Sequence, residues 1–136
     1  MANGVDTGRV LQILAVLEKR IGLNLSKQDV YVNVIGGIDV NEPAADLGIA
    51  LAIVTCVRDV VFDSHTAIVG EIGLSGEIRA VNHIERRITE AQKLGFKRII
   101  IPAANEIQEN IVGIEVIKVK KILEAITRGV KGNYDN

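Results

Sequence analysis

The stretch TAIVGEIGLSGEIRAVNHIERRITEAQKLGFKRIIIP, Thr66 to Pro102, reads as β structure, hairpin, helix and strand in succession, and that alternation decides the fold class. The β segments TAIVGEI and EIRAV are joined by Gly73 to Gly76, where a tight connection fits. Asn82-His83-Ile84-Glu85 resembles a capping box that opens a helix through Leu94, with an apolar stripe of Ile84, Ile88 and Ala91. Gly95 closes that helix, and KRIIIP is a buried strand stopped by Pro102.

Working outward, IEVIKV supplies another strand and Lys120 to Thr127 a last helix. Upstream, Val10, Ile13, Leu14, Leu17 and Ile21 recur at helical spacing between Gly8 and Ile21, with Glu18, Lys19 and Arg20 on the other side. DVYVNVI, Asp29 to Ile35, predicts a strand ended by Gly36-Gly37. Pro43 then starts a helix that is apolar on nearly every side as far as Val60, with Glu42 and Asp46 where the helix dipole favours acids. The expectation is an α/β domain with a mixed sheet, spanning residues 1–130, followed by a frayed tail at 131–136.

The bulk composition limits the function. Two Phe, two Tyr and no Trp make the core aliphatic, and a net charge of −1 gives no global attraction to nucleic acid or to an anionic membrane. One cysteine, Cys56, excludes an internal disulfide and a cysteine zinc site. It falls on the helical face of Ile49, Ile53 and Val60, which predicts a buried, inert thiol. His65 and His83 have no partner spacing for a metal and read as surface loop or helix-cap residues. No Gly-rich run ends in Lys-Ser or Lys-Thr, so a phosphate-binding P-loop is absent, and no cofactor is expected in this chain. The longest apolar run is too short to span a bilayer and no cleavable signal precedes the first helix, so the chain reads as cytoplasmic.

Charge is distributed unevenly. Asp39 to Glu71 holds six acids and one base, whereas Arg79 to Arg98 holds six bases against Glu85 and Glu90. Arg86, Glu90, Lys93 and Lys97 share one helical face, with Arg79 in the strand before it. Two readings stay open: a phosphate-binding patch, or a solvated face carrying an Arg86–Glu90 pair.

GEIGLSGEIRAVNHIERRITEAQKLGFKRIIIPAAN, Gly70 to Asn105, resembles the hallmark stretch of Lon-type proteolytic domains, and more closely the C-terminal domain of the RadA (Sms) family of bacterial DNA-repair proteins. ILAVLEKRIGL, QDVYVNVIGG and EPAADL extend the resemblance over nearly the whole chain. It implies a Lon-protease-like fold, of the ribosomal protein S5 domain 2-like class. The catalytic serine of Lon proteases falls on Ala44 and the catalytic lysine on Glu85, so the resemblance implies a scaffold without its Ser-Lys dyad.

For the parent family the resemblance implies an ATP-dependent branch-migration motor with a zinc finger and a RecA-like ATPase, and a RecA-type recombinase as partner. ATP, Mg and Zn belong to those other domains. It also implies that this domain forms ring-shaped homo-oligomers, typically hexamers, and contributes to binding duplex DNA. Arg79 matches a DNA-binding arginine of the family, and Arg86 and Arg87 stand behind it as further phosphate contacts. A position where relatives often carry a basic residue is Asp39 here, which weakens the expected contact. Two other readings are a protein-interaction platform that does not bind DNA and a residual hydrolase using Ser75 or Asp46.

Overall fold

The computed structural model describes residues 7–23, 42–108 and 111–131. The expected strand at 29–35, Gly36-Gly37, Asp39 and most of the tail lie outside the described residues.

Helix α1 (Thr7–Ile21) buries Val10, Ile13 and Leu17 of the predicted stripe together with Val16, which lay outside it, while Leu14 and Ile21 are only half-buried. A 3-10 turn (Pro43–Ala45) leads directly into α2 (Asp46–Arg58), which packs on α1. Proline at the first position suits this entry, because its missing N–H is one that a helix start leaves unpaired. The helix ends before Val60, at Asp59, which takes the left-handed conformation with φ 53°.

Strands β1 (Thr66–Ile68), β4 (Arg98–Pro102) and β5 (Glu115–Val119) form a parallel sheet in the order β1-β4-β5. Strands β2 (Glu71–Ile72) and β3 (Ile78–Arg79) form a separate antiparallel pair. The expected single mixed sheet is therefore corrected, among the described residues, to two sheets, and TAIVGEI is divided between them. Gly70 is the cause. Its N–H donates to the Ala44 carbonyl at 2.9 Å and its own carbonyl accepts from the Leu47 N–H at 3.0 Å, which draws the chain off the parallel sheet onto the tip of α2. A Cβ on Gly70 would stand 3.1 Å from Leu47 Cδ2, so this approach favours a glycine.

Helix α3 (Ile84–Lys93) and helix α4 (Ile122–Gly129) complete the order. The capping box does not form. The N-cap of α3 is His83, at φ 56°, with no side-chain cap bond, while the Asn82 Oδ1 accepts from Arg87 and the Glu85 carboxylate accepts from the Gln108 N–H. The other end behaves as expected: the Gly95 N–H reaches the Gln92 carbonyl and the Phe96 N–H the Ala91 carbonyl, the paired closure of a Schellman motif.

Strand β4 separates two apolar clusters. Ile100 joins α1, α2 and α4 on one face of the sheet, and Ile99 and Ile101 join Ile84, Ile88 and Ala91 of α3 on the other. A strand covered on both faces has no polar side, which is why Ile99, Ile100 and Ile101 follow one another without a polar residue between them. Cys56 is exposed, contrary to its expected burial. Burial falls away over the last turn of α2, where Thr55, Val57 and Arg58 are only half-buried.

Candidate nucleic-acid interface

Arg79 ends β3, the second strand of the small hairpin, opposite Glu71 in the pairing register. Its guanidinium is held by Glu77 two residues earlier: Nε and one terminal nitrogen donate to Glu77 Oε2 at 3.2 and 3.1 Å. Residues i and i+2 share a face of a strand, so the pair lies along one side of the hairpin. Glu77 Oε1 accepts the Ser75 N–H at 3.0 Å, which ties the carboxylate to the turn. Backbone N–H donation, first from its own residue, and then the Arg79 guanidinium hold the Glu77 carboxyl below its ordinary value of 4.5. Arg79 is thereby oriented while its side chain remains 52% exposed.

Arg87 is differently placed. It donates to the Asn82 carbonyl, to Asn82 Oδ1 and to Glu42, leaving its side chain 21% exposed. The Glu42 contact ties the entrance of the 3-10 turn to the first turns of α3. Arg86 is exposed, and the Arg86–Glu90 ion pair that belonged to the solvated-face reading is absent among the described residues. Arg86 and Arg87 border a concavity of about 420 Å³ over Ala67, Val69 and Ile99, while Arg79 borders another of about 560 Å³ beside Arg9 and Glu71. The three predicted arginines thus line two concavities.

Ala44 and Glu85, the positions on which the resemblance set the Lon dyad, are an alanine and a glutamate. The Ala44 methyl is buried in the turn before α2, and Glu85 bonds the Gln108 backbone at 2.9 Å. Asp46, two residues beyond Ala44, is also buried: one oxygen accepts from Arg9 at 2.8 Å and the other from the Ile72 N–H at 3.1 Å. These bonds fasten α1 and the hairpin to the start of α2 and occupy both oxygens. Ser75 is an exposed residue of the hairpin turn. Among the described residues no group of His, Cys, Asp and Glu is arranged to hold a metal, and no helix is long and apolar enough to cross a membrane.

Sequence reading missed Glu77 as the partner of Arg79, although a Glu-x-Arg pattern in a strand is the available signal. It also missed Asn105, whose side chain accepts the Val81 N–H at 3.0 Å and donates to the Val81 carbonyl at 2.9 Å, acting like a strand neighbour behind the hairpin.

Residues 7–105 match a family model described as subunit ChlI of Mg-chelatase. The chain is 48% identical over 97% of its length to the DNA repair protein RadA of Bacillus subtilis, and 50% identical over 96% to that of Synechocystis. It is 42% identical over 93% of its length to the RadA of Escherichia coli. The chain spans 29%, 26% and 28% of these three relatives, a little over a quarter of each. The chain belongs to the family described as subunit ChlI of Mg-chelatase, and over nearly its whole length it is similar to a segment of proteins named DNA repair protein RadA.

Proposed function

We propose that this chain is the non-catalytic C-terminal, Lon-protease-like domain of a RadA-type DNA repair protein. Its role is ring assembly and duplex DNA contact for an ATP-dependent branch-migration motor. The observation that carries the reading is Arg79: an exposed arginine oriented by a neighbouring carboxylate at the edge of a hairpin clamped to the core. Its planar fork suits two phosphate oxygens, and it stays charged at any working pH. The family description names a chelatase subunit, but the relatives matched along nearly the whole chain carry a DNA-repair name, and that name guides the reading.

Absence of peptidase activity belongs to the same proposal. A methyl group at Ala44 supplies no nucleophile, and a carboxylate at Glu85 has the wrong charge to replace a lysine base. The test is titration of a fluorescent duplex with the chain at several salt concentrations, beside an assay of peptide hydrolysis. Salt-sensitive, sequence-independent binding without hydrolysis supports the proposal. Sustained turnover of a peptide by rigorously purified protein, or no duplex binding at low salt, defeats it.

A further inference from the structure

Three bases from two distant segments meet beside the hairpin. Arg20 comes from the last turn of α1, and Lys120 and Lys121 from the connection between β5 and α4. Together with Ser75, Gly76 and Glu77 they border a concavity of about 460 Å³. Two features of the backbone build it. Glu77 forms an antiparallel bridge with Lys121, which joins the hairpin to the β5–α4 connection. Gly76, at φ 84°, lets the Arg20 stem lie across the turn, since a Cβ there would stand 2.8 Å from Arg20 Cγ.

The charge balance at this concavity is positive. The one acid that borders it, Glu77, already accepts from Arg79, and the Glu124 carboxylate close by accepts the Lys120 N–H at 2.8 Å, whereas the Arg20, Lys120 and Lys121 side chains form no ion pair among the described residues. All three bases are exposed. Glu77 is thus the residue shared by the two groups, accepting from Arg79 and bordering the concavity of the three cations.

We infer that Arg20, Lys120 and Lys121 form a second phosphate-binding site, beside the hairpin that carries Arg79, that takes the phosphodiester backbone of a nucleic acid. The inference rests on the DNA-contact reading above and extends the contact to residues outside the basic Arg79–Arg98 segment. Removing one phosphate contact lowers the log-log salt slope of duplex binding by about 0.9.

The test uses the whole chain and a fluorescent duplex, comparing wild type with Lys120→Gln/Lys121→Gln, Arg20→Gln and Arg79→Ala. The double variant is expected to lose about 1.8 from the slope and Arg20→Gln about 0.9, with Lys120→Arg/Lys121→Arg retaining the wild-type slope. Arg20→Gln alters a different element from the lysines, so it gives an independent reading if the double variant folds poorly. A slope that responds to Arg79→Ala but not to loss of Arg20, Lys120 and Lys121 overturns this inference and leaves the DNA-contact reading standing. Wild-type protein that binds no duplex defeats both. Displacement of the duplex by millimolar inorganic phosphate at constant ionic strength would assign a small-anion pocket and overturn the nucleic-acid assignment.

Discussion

Glu77 and Arg79 oppose each other electrically while each positions the other. Replacing Glu77 by Gln keeps an acceptor for the Ser75 N–H and removes the negative charge. Duplex affinity is expected to rise at low salt and to differ less from wild type at high salt, since a solvent-exposed acid beside the phosphate contact is removed and its repulsion is screened by salt. The pair also has a pH signature. The Glu77 carboxyl is depressed in the folded state, so its contribution to stability is present above its unfolded value of 4.5 and is lost as pH falls through the lower folded value. Acid unfolding of Glu77→Gln should lack that component of the pH dependence. Asp46 works in the opposite setting, buried against Arg9 and the Ile72 N–H. Asp46→Ala is expected to cost about 3 kcal/mol in urea unfolding, because it removes a buried ion pair and takes the acceptor from the Ile72 N–H. The helix start and the acid at Asp46 were legible in the sequence; its partner Arg9, far along the chain, was not.

At the scale of elements, what was legible depended on whether a local pattern or a distant contact set the outcome. The triple isoleucine of β4 announced a strand covered on both faces, and the stripe of α3 announced the helix that covers one of them. The division of TAIVGEI between two sheets was illegible because it depends on Gly70 meeting the tip of α2. The His83 cap was illegible because the Asn82 and Glu85 side chains have other partners from Arg87 and Gln108. Cys56 shared a helical face with buried neighbours, but periodicity does not say where the cover over a helix ends. The close of α4 gives a packing prediction. A Cβ on Gly129 would stand 2.2 Å from the Phe62 ring, where the Phe62–Val130 bridge holds the chain. Gly129→Ala should therefore destabilise by about 1–3 kcal/mol, read as a lower urea midpoint with unchanged slope.

For the whole molecule, the proposed ring would place each subunit's Arg79 against one duplex and so multiply weak contacts. Ring closure requires a heterologous interface between two different faces of neighbouring subunits. Sedimentation at rising concentration should show an assembly larger than a monomer; a monomer at every concentration, in low and high salt alike, would reject ring formation by this chain. The candidate DNA site was only partly legible. Arg79 stood in a recognisable motif, whereas its clamp by Glu77 and the meeting of Arg20, Lys120 and Lys121 beside the hairpin required the folded chain. The most direct test of the central claim is the salt dependence of duplex binding by wild type and Arg79→Ala, measured on two unrelated sequences. The account predicts equal affinity for both sequences and a log-log slope smaller by about 0.9 in the variant, with its thermal unfolding unchanged. An Arg79→Ala protein with wild-type affinity and wild-type salt slope would contradict it.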